Sequence, residues 1–194
     1  MTTEVEFGTF AIDDLEQREK DGWHYVALRA VPYDHPIELT ASRSEVFVRG
    51  ALAEAATALG RVPFTRGHVP PAKRASGEGV VGVMSSARDG TDAFRAEMKM
   101  VKSPLAEETL SLLDVGVLSD VSIGFRRTKG GTQTVALKDG KTLDKHMKVG
   151  LDHIALLRDG YGAYGAAAQV EAVRDDLMRL ADLRTMLASR GLIT

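Results

Sequence analysis

One serine and two histidines are spaced along this chain in an order that suits acyl-transfer chemistry. Ser122 lies in Asp120-Val121-Ser122-Ile123-Gly124-Phe125-Arg126. His68 stands upstream in Phe64-Thr65-Arg66-Gly67-His68, and His153 downstream in Leu151-Asp152-His153-Ile154-Ala155-Leu156-Leu157. A nucleophile, a base and a group that orients the base are what such a set would supply. A serine hydroxyl attacks poorly until an imidazole takes its proton, and the partners meet in space, not in sequence. Gly124 would let the backbone approach a substrate carbonyl closely. Backbone amides near it, or the guanidinium of Arg126 or Arg127, are candidate oxyanion donors, each such donor being worth about 3–4 kcal/mol.

Each residue also has a plainer reading. Ser122 can be a serine satisfied within a sheet, His68 a solvated loop residue, and His153 a buried histidine with one hydrogen-bonded nitrogen. Strict two-residue alternation puts Leu151, His153, Ala155 and Leu157 on one face of a strand, with Asp152, Ile154 and Leu156 on the other. On that reading only one of Asp152 and His153 faces a site. His24, His35 and His146 have no supporting context. With no cysteine and no HExxH spacing, a metal site is not expected. Gly160-Tyr161-Gly162-Ala163-Tyr164-Gly165 matches G-x-G-x-x-G. The segment after it has no room for a second strand with an acidic ribose ligand, so a sharp turn is the better reading and no cofactor is expected. The cluster Arg126-Arg127-Lys129 reads as a solvated loop or as substrate contacts.

The elements that must position these residues are mostly strands. The chain has 194 residues, 44% of them hydrophobic but only 6% aromatic, so aliphatic side chains must build its core. A net charge of -2 gives no electrostatic case for nucleic acid or an anionic membrane. No run approaches the roughly 18 apolar residues of a membrane span, and the acidic, polar beginning does not look like a signal peptide. Strands are expected at 3–7, 23–31, 79–86, 93–101, 121–127 and 150–157, with hairpin turns at Asp89-Gly90 and Asp139-Gly140. Residues 51–59 read as a short helix stopped by Gly60, and 105–115 as a second helix ending at Gly116. Residues 63–71, with three prolines around His68, read as irregular. Val170, Val173, Leu177, Leu180, Leu183 and Leu187 follow helical spacing. The expectation is an α+β, β-dominated barrel domain over 1–165 and a C-terminal amphipathic helix over 166–194.

Three segments together resemble the prohead (capsid maturation) serine proteases of phages with HK97-like capsids. Val48-Arg49-Gly50-Ala51-Leu52 looks like the family's early PGAF segment, with arginine for proline. Phe64-Thr65-Arg66-Gly67-His68 resembles the segment of the catalytic histidine, with Val69 where an acidic residue is usual. Leu112-Leu113-Asp114-Val115-Gly116-Val117-Leu118-Ser119-Asp120-Val121-Ser122-Ile123-Gly124-Phe125 is similar to the segment of the catalytic serine, and is the most specific of the three. In the last strand His153 stands where the family has glutamate, which is similar to the Ser-His-His set of herpesvirus maturational proteases.

The resemblance implies a herpesvirus-protease-like β-barrel with flanking helices. It implies a serine endopeptidase with Ser122 as nucleophile, His68 as base and His153 as orienting group. It further implies self-cleavage, scaffold protein and major capsid protein as substrates, no cofactor, and action in the host cytoplasm inside the assembling procapsid. The terminal helix would serve dimerisation or scaffold docking. The alternative from another class is a catalytically silent capsid assembly or scaffolding protein with the same barrel.

Overall fold

The computed structural model describes residues 22–158, 160–162, 168 and 170–175. Tyr25 to Val173 form one compact unit. In chain order the strands are β1 (His24–Pro32), β2 (Ile37–Thr40), β3 (Arg43–Phe47), β4 (Pro63–Arg66), β5 (Val80–Asp89) and β6 (Ala93–Met100). There follow β7 (Leu118–Arg127), β8 (Thr132–Ala136), β9 (Thr142–His146), β10 (Val149–Arg158) and β11 (Val170–Asp175). Among the described residues two α-helices interrupt them, α1 (Pro71–Ala75) and α2 (Pro104–Asp114).

Seven strands form one curled sheet in the order β11-β1-β6-β5-β4-β10-β7. Four more form a second sheet in the order β2-β3-β9-β8. The neighbours β1/β6, β6/β5, β5/β4 and β10/β7 run antiparallel, whereas β4 and β10 run parallel. The parallel pairing of β4 with β10 brings the segment holding His68 beside the strand of His153. Central strands are apolar on both faces, as strands covered on both sides must be: in β1, Val26, Ala27 and Leu28 are all buried. Phe64, Met84, Phe94, Met98, Val121, Ile154 and Leu156 fill the core with negligible exposure, each contributing about 1.5–3 kcal/mol by burial.

α2 is set by local signals. Ser103 caps it, its hydroxyl accepting from the Ala106 N–H at 3.2 Å, and Pro104 occupies the first turn, where no donor is needed. Ala106, Thr109 and Leu113 form its buried face, and Gly116, at φ +74°, ends it.

Three expectations change. Residues 51–59 make turns and a single 3₁₀ turn at Ala55–Thr57, not an α-helix. The proline-rich stretch around His68 contains β4 and α1, because Pro63 begins a strand and Pro71 a helix, positions that tolerate the missing N–H. Within the expected helix 166–194, Val170–Asp175 is instead strand β11, next to β1. The valines favour a strand there, and β1 has a second edge to pair. The rest of that expected helix beyond Asp175, and the expected strand at 3–7, lie outside the described residues.

Candidate active site

Ser122, His68 and His153 meet on the β4-β10-β7 side of the large sheet. β7 and β10 pair so that Ser122 lies opposite Ala155 and Gly124 opposite His153. Directly opposed residues point to the same face, so Ser122 and His153 are diagonal neighbours. His68 lies just past the end of β4, on a turn made by Gly67 at φ +78°. The turn is fixed from both sides. The Gly67 N–H donates to the Leu156 carbonyl of β10 at 2.9 Å, and the buried Thr65 hydroxyl donates to the Gly67 carbonyl at 2.8 Å.

The three side chains form a continuous array. Ser122 Oγ is 3.0 Å from His68 Nε2, and His68 Nδ1 is 2.9 Å from His153 Nε2. The two rings stand nearly perpendicular, at 86°. The array continues: His153 Nδ1 lies 3.1 Å from Asp152 Oδ2. Asp152 is in turn bound by Arg74 of α1, and Arg126 of β7 approaches its other oxygen at 3.6 Å.

Asp152 reaches this face through a β-bulge, so strict alternation does not hold along β10. The pairing of β10 with β7 skips between Leu151 and His153. The core-side residues of β10 accordingly run Val149 and Leu151, then Ile154 and Leu156. The extra residue puts Asp152 and His153 side by side on the non-core face, which an unbroken two-residue period forbids. A second skip, at Ser119, sets β7 so that Val121, Ile123 and Phe125 pack on the core. Ser122, Gly124 and Arg126 then face the array.

Gly124 also makes room for a member of the array. A Cβ at this position would lie 3.0 Å from His153 Nε2 and closer still to Cε1 and Nδ1. The missing side chain is the space in which the His153 ring lies. The two candidate arginines also separate. Arg126 is on the site face, with a side chain 77% exposed. Arg127 turns away and donates to Asp144 of the second sheet at 2.8 Å, so it is removed from the candidate oxyanion donors.

Burial governs the titration of both imidazoles. It is the largest influence holding His68 below the ordinary 6.5, helped by His153 and by Arg74. It also holds His153 below that value; the Asp152 hydrogen bond opposes this and Arg74 adds to it. Both rings are therefore neutral at neutral pH, the state in which His68 can accept a proton.

Arg74 is the functional residue that sequence reading missed. Its side chain is 9% exposed and binds both Asp152 and the carbonyl of Val69, the residue after His68. The only sequence signal was an arginine a few residues beyond the loop of a candidate base. Gly160, at φ +78°, turns the chain after β10, and the Gly162 N–H donates to the buried Asp120 carboxylate at 2.8 Å. The remainder of the G-x-G-x-x-G stretch lies outside the described residues. Among those described, no cluster of His, Asp and Glu has the makings of a metal site, and no helix is long and apolar enough to cross a membrane. Compared with models of known protein families and with curated proteins, the chain matches none.

Proposed function

We propose that the protein is a serine endopeptidase of the prohead protease kind, with a fold related to the herpesvirus maturational proteases. The observation that carries this reading is the array of Ser122, His68 and His153 at 3.0 and 2.9 Å. Those are the separations at which a hydroxyl proton passes to an imidazole as attack proceeds. Ser122 Oγ adds to the scissile carbonyl while its proton moves to His68 Nε2. The tetrahedral intermediate collapses as His68 returns that proton to the leaving amine, giving an acyl-enzyme that water then opens by the same route. Arg126, exposed on the site face, is the protein's side-chain candidate for stabilising the developing oxyanion.

The motifs around His68 and Ser122 support scaffold protein and major capsid protein as substrates, together with self-cleavage in the procapsid. Self-association through the C-terminal part belongs to the same proposal.

The test follows intact mass for wild type and Ser122→Ala during incubation at high concentration, alone and with scaffold protein, and adds a fluorophosphonate probe. Fragments and serine labelling in wild type alone are expected. Two stable, unlabelled proteins, with scaffold left intact, would instead identify a silent assembly protein on the same fold.

A further inference from the structure

We propose that Asp152, pinned by Arg74, is the positioning residue that sets the direction of every hydrogen bond in the array. A carboxylate only accepts, so the His153 nitrogen that meets Asp152 Oδ2, Nδ1, must carry the proton. A neutral ring with Nδ1–H leaves Nε2 as an acceptor, so His68 Nδ1, facing it at 2.9 Å, must be the donor. His68 Nε2 is then bare, and Ser122 can only donate to it. Both histidines are held in the Nδ1–H form, and the serine proton already points to the nitrogen that will take it. Without Asp152, a pair of neutral imidazoles has no internal preference between this direction and its reverse. In the reverse direction His68 Nε2–H points at Ser122, and the base is blocked.

Arg74 decides what kind of influence Asp152 exerts. It donates to Oδ2, the same oxygen that His153 meets, and Arg126 stands 3.6 Å from Oδ1. The charge of the carboxylate is therefore largely countered where it stands, and what reaches His153 is an oriented acceptor. Arg74 also holds the Val69 carbonyl, so one guanidinium joins the acceptor to the backbone that carries His68. An amide in place of the carboxylate retains an oxygen, and Arg74 selects the rotamer that keeps it at the Oδ2 position. The effect on rate rests on the reading of Ser122 as nucleophile; the effect on the tautomers does not.

The experiment reads imidazole ¹⁵N shifts at neutral pH on the full chain carrying Ser122→Ala, which avoids self-cleavage. Protonated Nδ1 and bare Nε2 on both His68 and His153 are expected. That pattern should survive Asp152→Asn and be lost in Asp152→Ala and in the Asp152→Asn/Arg74→Leu pair. With Ser122 restored, Asp152→Ala should lower kcat by about a hundredfold with little change in KM, and Asp152→Asn by less than about tenfold. Nε2–H on either histidine before Asp152 is changed would overturn the proposal, as would unaltered tautomers in folded Asp152→Ala. An inert Ser122 with the expected tautomers would overturn the protease reading and leave this one standing.

Discussion

At the scale of single residues, the His153 ring occupies space that another residue gives up. Gly124→Ala puts a methyl group into that ring, whereas Gly150→Ala, on the same strand as His153, meets nothing nearer than the Arg126 carbonyl at 3.9 Å. Gly124→Ala should cost about a hundredfold in kcat, since a displacement of about 1 Å is worth that much. Gly150→Ala should leave the rate unchanged, and a self-cleavage assay on the two proteins checks both. Titration gives a second prediction. The base must be neutral to work, and both histidines are held below 6.5, first of all by burial. Activity should therefore persist as pH falls past 6.5 and fail only through the depressed values. The same sign applies to stability: a buried neutral imidazole favours the folded state above its unfolded pKa, and this is lost as pH falls through the folded one. A rate profile with its acid limb at or above 6.5 would contradict the assignment. Arg126→Ala and Arg127→Ala separate chemistry from structure. The first should slow cleavage without changing thermal stability; the second should cost about 1 kcal/mol by thermal melting and leave the rate alone.

At the scale of elements, the site is a product of irregularities in otherwise regular strands. Ser122, His68 and His153 are legible from residue type and local motif, and the two hairpins from Asp-Gly turns. Asp152 is not legible, because one inserted residue reverses the faces of β10 and a fixed two-residue period cannot represent it. β4 is hidden for another reason: its four residues begin with proline and are too few to show alternation. α1 is equally short, and Arg74 owes its place to long-range contacts with Asp152 that no local pattern encodes. Only its pairing with β5 and β10 makes β4 a strand, so propensity says little there. The turn between β4 and α1 gives a prediction at this scale. Thr65→Val keeps the shape and removes the hydroxyl that binds the Gly67 carbonyl. It should cost about 1 kcal/mol in denaturant unfolding and a larger share of the cleavage rate than of stability, since it frees His68.

At the scale of the molecule, the second sheet is joined to the first where Asp144, Arg127 and an aromatic group meet. Asp144 is 2% exposed. Arg43 and Arg127 donate to one of its oxygens and Thr134 to the other. The Thr134 hydrogen bond and then that of Arg43 hold its carboxyl well below the usual carboxylate range. Phe125 of β7 packs edge-on against Phe47 and against His146, each at a centroid distance of 5.0 Å. His146, without context in the sequence, is fully buried and bonded to Glu45 at 3.1 Å and Thr132 at 2.9 Å. A depressed carboxyl stabilises the fold above its unfolded pKa of about 3.9 and loses that contribution as pH falls through the folded value. Asp144→Ala should lower unfolding free energy by about 2–3 kcal/mol at neutral pH, and the deficit against wild type should shrink under acid, as read by unfolding across pH. The parallel junction of β4 with β10 has a consequence in time. His68 and His153 are 85 residues apart in the chain, and it is β10 that the His68 segment pairs beside. Closing so long a loop is among the slower events of folding, because its entropy is lost before its contacts form. A chain emerging from the ribosome carries its serine and its first histidine well before the strand that aligns them. The molecule is born without its array, and acquires it only once synthesis has passed His153 and the sheet has closed.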